Sequence, residues 1–498
     1  MCPANPTGLC PIICNKNYIP TGIPIQLSKN WHYHELGNYV RFYFFLPVNN
    51  IKGWTIYRIR VAYGFYGTLP LASHSNLSLV GYGNFRRGGQ WEQLAIGCWG
   101  ETFCMDIDMD CVPRTITDVR LLLTRNGLNG EKWRWTNAGW GGDWLYIKNE
   151  KNERLMPRGW KTAYISHGPC LTEVQYNGYY GANCEVSMKS TVRTLRTDDY
   201  ARTFTNIEYT FTKKVTTSIA AFFMVGGQPK LETPRVAYGN FEGLIAEHNI
   251  PSGIAKDSFF IKSEQLTGSS PWFISYAGQD NHDDNKKGQG WRGIIIRNYN
   301  ACFSGEKFAN PCISFISEQK QRKNMTLHFS PPKDITTFDI GDHISFEVEL
   351  ITIPNDFASY YGPNIFFSDH IRANPCSWKT VHREVIHNGP QLNAKVIRGG
   401  FVKHEYPVIL YKEGTGIMEF TINFGVGAVP IRFDGLLTPS YSLYHCPPDS
   451  PEETKFEPQV NGNDYWQVDF DPWTKHYSLT YNIPFENFPT SRWVLRPI

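Results

Sequence analysis

Residues 133–144 read WRWTNAGWGGDW, setting Trp135, Trp140 and Trp144 beside Asn137 and Asp143 with Gly139, Gly141 and Gly142 between them. Sugar rings present C–H faces that stack on indoles and hydroxyl pairs that bond to amides and carboxylates. Glycine lets backbone approach such a ligand or take positive φ. The competing structure is a Gly-rich hairpin whose tryptophans anchor it to the core. Asn461–Trp473 (NGNDYWQVDFDPW) repeats the theme. There Asp464 is a candidate acid and Trp466 a stacking ring, against an Asn-Gly turn with solvated carboxylates.

His382 follows Trp378 by four residues and precedes Glu384 by two. One helical turn brings His382 and Trp378 to one face. An imidazole beside a carboxylate is suited to proton transfer near neutral pH; the alternative is a surface helix packed on a sheet. Trp291, Arg292 and Tyr361 complete the candidate binding set, Arg292 because a guanidinium grips a uronate carboxylate bidentately. Asp106, Asp108 and Asp110 alternate between Cys104 and Cys111. On a strand they stack three carboxylates on one face, which repels unless a cation such as Ca²⁺ sits there or water solvates them. No other cofactor is required. Serine-hydrolase, zincin, P-loop and dinucleotide motifs are absent from the sequence.

The elements that must position these residues are strands. Val40–Phe45, Thr203–Phe211, Ser218–Met224, Ile344–Ile353, Gly416–Asn423 and Val429–Phe433 alternate with period two, are rich in β-branched and aromatic residues, and end near Gly, Asn, Asp or Pro. Helical periodicity is confined to Pro363–Ala373 and, more weakly, Trp378–His387. The expected fold is all-β: a large antiparallel β-sandwich with a smaller C-terminal β-sandwich and few short helices. Expected divisions are a Cys-rich segment at 1–29, the large sandwich at 30–394 with a possible internal boundary near 190, and the C-terminal sandwich at 395–498.

Composition narrows the partners. The 498 residues carry a formal net charge of +3 with no basic stripe, which disfavours nucleic acid. No apolar run approaches the ~20 residues of a membrane-spanning helix. Twelve cysteines in short-range groups suit disulfide-closed loops in an oxidising compartment, with Cys302–Cys312 the clearest pair and Cys170–Cys184 another. Sequons at Asn76 and Asn324 fit a glycoprotein. A secreted protein is expected, with the signal peptide not present in this chain; oligomeric state is left open.

Gly341-Asp342 before a strand, Tyr360–Asn364 (YYGPN), Trp378–Glu384 (WKTVHRE) and Gly462–Gln467 (GNDYWQ) give the chain a pattern that resembles the galactose-mutarotase-like supersandwich domains of glycoside hydrolases and polysaccharide lyases. The resemblance implies contact with a glycan and names no catalytic residue. The expectation is a secreted carbohydrate-active protein that cleaves glycosidic bonds of a polysaccharide, by hydrolysis ahead of elimination. Hydrolysis needs two carboxyl groups across a cleft, for which Asp143, Asp464 and Glu384 are candidates. Elimination would use His382 or Tyr361 with Arg292. The alternative is a non-catalytic glycan-binding or structural extracellular protein.

Overall fold

The computed structural model describes residues 8–14, 16–18, 25–29, 40–44, 55–64, 75–82, 91–98, 101–106, 115–123, 134–135, 140–167, 171–195, 201–227, 235–250, 258–276, 290–317, 325–354, 378, 382, 385, 389, 391–425, 428–447, 452–456, 466–471, 474–484 and 490–498. Strands dominate these residues, as the alternating pattern requires, and the all-β expectation holds. Ser218–Met224 divides into Val215–Ala221 and Phe223–Gly227, which join different sheets.

Two ten-stranded sheets form the larger unit. The first includes Phe223–Gly227, Cys312–Ser317 and Met325–Ser330; the second runs from Pro157–His167 through Leu171–Tyr180, Val186–Leu195, Ala201–Phe211, His343–Pro354 and Gly290–Phe303 to Gly243–Asn249. Alternation decides which side chains meet between them. Val174, Tyr176, Ile207, Tyr209, Phe346 and Val348 of the second sheet share one buried cluster with Phe223, Val225, Phe315, Leu327 and Phe329 of the first. The strands between residues 393 and 497 build two five-stranded sheets around a separate apolar core. Within that pair Val408–Lys412 and Ala428–Leu436 run parallel.

The second ten-stranded sheet is covered on its outer face as well. Leu171 and Phe204 point away from the first sheet and join the C-terminal core cluster, where Phe204 meets Tyr406 edge-on at 5.0 Å. Beside them a charged network closes the junction. Glu173 Oε2 accepts from Arg193 Nε at 3.0 Å and from Arg432 Nη1 at 2.8 Å, and Arg432 Nε lies 2.8 Å from Asp434 Oδ1. Burial alone would raise the Glu173 carboxyl; Arg432 and Arg193 outweigh it and hold it below the usual carboxylate range. Asp434 is lowered in the same way, burial opposing and then Arg432 and Lys403 prevailing.

The same alternation separates two cysteines expected to pair. Ala301 and Phe303 enter the core between the sheets, so Cys302 faces outward from the second sheet. Ile313 and Phe315 enter that core from the other side, so Cys312 faces outward from the first. With stacked sheets ~10 Å apart, their Sγ atoms cannot meet, and both thiols are free. Cys184 is free too. It stands beyond the far end of the ten-residue strand that begins at Leu171, at ~3.4 Å per residue; Cys170 is outside the described residues. The cysteine spacing thus marks no closed loop at these places, and the oxidising compartment it implied loses that support.

Two outcomes test this arrangement. Alkylation of unfolded, unreduced protein should label Cys302 and Cys312, and a peptide linking them would contradict the packing. Arg432→Ala should destabilise the C-terminal unit by about 3–5 kcal/mol, because it strands buried carboxylates. Since the folded carboxyls titrate below their unfolded values, wild-type stability from the network should be complete above about pH 5 and fall as pH drops through the lowered folded values. A denaturation midpoint equal in variant and wild type at pH 7 would show that the network holds nothing.

Candidate functional site

Gly142 serves the protein's own backbone, and Gly139 lies outside the described residues. Gly142 pairs with Val225, and a Cβ there would stand 2.2 Å from the Met224 carbonyl oxygen. The strand approaches its neighbour, and no ligand is needed to explain it. Trp144 is fully buried, stacked on Trp160 at 5.1 Å and edge-on to Tyr176 at 5.0 Å. It is a core anchor, contrary to the ligand-facing expectation. Asp143, also at 0% exposure, accepts from the Thr115 N–H at 3.0 Å and pairs with Arg154 at 2.7 Å. A carboxylate so enclosed fixes this corner of the sandwich and is not placed to meet a substrate.

His382 and Trp378 do share a helical face. Their rings meet edge-on at 5.7 Å, Trp378 stacks on Trp272 at 6.5 Å, and His382 Nε2 lies 2.9 Å from the Phe241 carbonyl. Since a carbonyl only accepts, Nε2 carries the proton. His382 therefore packs with Trp378 on the outer face of the second sheet, its distal nitrogen engaged. No described contact joins it to Asp143, so the expected convergence of catalytic groups is not formed by these two. Asn137, Tyr361, Glu384, Asp464, Asp108 and Asp110 lie outside the described residues. Trp135, Trp140, Trp291, Arg292, Trp466 and Asp106 stand in strands whose backbone alone is described at those positions. Among the described residues no group of three metal-ligating side chains converges.

A different constellation emerges from register. Gln175 pairs with Thr191, Thr191 with Asn206 and Asn206 with Glu347, so the four form a row across adjoining strands. Their neighbours Val174, Tyr176, Val192, Ile207 and Phe346 fill the core, so the row faces outward. A bulge between Ile296 and Tyr299 extends it. The extra residue turns both Arg297 and Asn298 outward. Arg297 pairs with Glu349 through Nε at 2.8 Å, and Asn298 Nδ2 donates to Glu347 Oε2 at 3.1 Å.

The row is a shelf at the foot of the C-terminal sandwich. Gln175, Thr191 and Asn206 are half-buried, while Glu347 is 1% exposed and its Oε1 has no hydrogen-bond partner. His404 overhangs from the C-terminal unit. Its Nδ1 donates to the Pro407 carbonyl at 2.8 Å, which turns Nε2 toward Glu347 Oε2 at 3.6 Å. The shelf thus offers half-buried amides and a hydroxyl along one line, which ends at the buried Glu347 carboxylate beneath the His404 imidazole. The signal in sequence was available but faint: Gln175, Asn177, Asn206 and Asn298 are amides at outward positions of strands, which matters only once register aligns them. His328 adds a contrast. Burial, then Lys148, pushes it down to about 3, so this neutral side chain bonded to Thr326 is structural.

No family model and no curated protein matches the chain. Among solved structures it is similar to the galactosidase domain of an α-galactosidase–sucrose kinase, at 12% identity over 54% of this chain and 41% of that one, with a TM-score of 0.30. It is also similar to a GH36 α-galactosidase from Geobacillus stearothermophilus, at 10% identity over 53% and 41% with a TM-score of 0.30. A polysaccharide lyase shares 10% identity over 78% and 46%, with a TM-score of 0.22. The chain thus spans about two fifths of the length of the galactosidase structures. Superpositions this partial carry neither fold nor activity to it.

The anchoring role of Trp144 has a direct consequence. Trp144→Ala should cost about 3–5 kcal/mol of stability, the range for emptying a large aromatic site, read as a lower denaturant midpoint. Full stability in that variant would mean the indole is not core.

Proposed function

We propose that the protein is carbohydrate-active and holds a polysaccharide on the shelf formed by Gln175, Thr191, Asn206, Glu347 and Asn298, beneath His404. One observation carries this reading: a register-aligned row of amide, hydroxyl and carboxylate groups beside a junction, ending in a buried carboxylate oxygen that has no hydrogen-bond partner among the described residues. A carboxylate out of water without a donor is costly. Vicinal sugar hydroxyls supply donors to Glu347 and acceptors to the amides. A purely apolar ligand would leave every one of these groups unmet.

Binding is favoured over cleavage. Hydrolysis calls for two carboxyl groups across a cleft, whereas Glu173 and Glu349, the other buried carboxylates on this face, are held by arginines. A second reading rests on the His404–Glu347 pair, which could move a proton during glycosidic cleavage if a second catalytic group comes from the opposite side. Glu384 and Asp464 are the remaining carboxyl candidates for it.

The test is calorimetric titration against a panel of neutral and uronic-acid polysaccharides, with reducing ends and unsaturated uronates monitored for cleavage. Glu347→Gln and Asn206→Ala should each weaken binding by about 1–3 kcal/mol, the range for hydrogen bonds to charged and buried groups, with little change in melting temperature for Asn206→Ala. Absence of binding across the panel would overturn the reading. Binding that both variants retain in full would place the ligand elsewhere.

A further inference from the structure

The C-terminal sandwich carries a pair of rings on its outward face. Phe401 lies opposite Tyr411 across the pairing of Gly400–His404 with Val408–Lys412. Their neighbours Val402 and Leu410 pack toward that sandwich's core, so the two rings point the other way. The rings stack with centroids 5.2 Å apart and planes 25° from parallel. Phe401 is 47% exposed.

Glycine sets the platform flat. A Cβ on Gly435 would come within 2.9 Å of the Tyr411 ring, and one on Gly400 within 2.0 Å of the Tyr411 carbonyl oxygen. Tyr411 therefore lies down on the neighbouring strand and is held there by close backbone contact. The rim is charged. Lys403, half exposed, donates to Asp434 Oδ2 at 2.7 Å, and Asp434 is the register partner of Tyr411 on the next strand. An ammonium has three donors and Asp434 takes one of them, leaving Lys403 able to donate at the platform edge.

We propose that Phe401 and Tyr411 form a second glycan subsite, stacking the C–H face of a pyranose while Lys403 donates to its hydroxyls. Two near-coplanar rings on a rigid strand pair match a flat saccharide face, and the ion pair beside them disfavours an aliphatic partner, whose burial would strip water from Lys403 without replacing it. Phe401 precedes by three residues the His404 that overhangs Glu347, a separation of ~10 Å along a strand. A long glycan held on the shelf reaches the platform, and engaging both raises its apparent affinity without new contacts at either. This subsite rests on the carbohydrate reading of the shelf.

The experiment titrates full-length protein with the polysaccharide that binds best and with a short oligosaccharide of the same sugar. Phe401→Ala should weaken the polysaccharide about 3- to 10-fold, the range for one aromatic stack, and leave the short ligand nearly unchanged. Phe401→Trp should restore or exceed wild-type affinity. Unchanged polysaccharide affinity in Phe401→Ala, whether or not its melting temperature falls, would overturn the subsite and leave the rings as a cross-strand pair that steadies an edge strand. If Glu347→Gln weakens binding while Phe401→Ala does not, the shelf stands and the platform alone is wrong. If no saccharide binds wild type, both fall.

Discussion

Glu173 sits out of water between two guanidinium groups, one from its own sheet and one from the C-terminal sandwich. A charge in that position is tolerable only while both partners stay in place. The second ten-stranded sheet can therefore bury its outer face only if the C-terminal sandwich is docked in one register, with Arg432 over Glu173 and Tyr406 against Phe204. Apolar contact supplies area at this junction; the ion network supplies the position. Everything on the adjoining row inherits that position.

Glu347 shows the consequence. It is one residue pair along the same strand from Glu349, which is tied to Arg297. Among the described residues Glu347 receives only the Asn298 amide on one oxygen and His404 at longer range. The bulge at Ile296–Tyr299 makes this possible by turning two successive side chains to one face. Where the C-terminal sandwich covers the sheet completely, carboxylates are paired with arginine; where its cover ends, amides and a hydroxyl begin. A polar ligand is expected at that border, because there the groups are half-buried and pre-positioned at once.

The all-β fold was legible in the sequence because alternation and turn residues are local signals. The surroundings of the aromatic rings were less legible, and glycine is the reason. Glycine beside a ring suggests room for a ligand, yet Gly178 makes room for Trp160 and Gly239 for Trp272, both within packed regions. The same device at Gly435 seats Tyr411 on an open face. Small neighbours show that a ring lies against backbone, and tertiary cover decides whether its other face is wet. Cys302 and Cys312 failed for a related cause: ten residues of separation say nothing of the sheet face each thiol takes. The shelf was invisible because its members come from five strands and align only through register.

Hydrogen–deuterium exchange on full-length protein, with and without its best-bound polysaccharide, tests the central claim most directly. Ligand should slow exchange in Leu171–Tyr180, Ala201–Phe211, Gly290–Phe303 and His343–Pro354 near the shelf, and in Gly400–His404 above it. Protection confined to other strands, or none at saturating ligand, would contradict a glycan site at the junction of the two sandwiches.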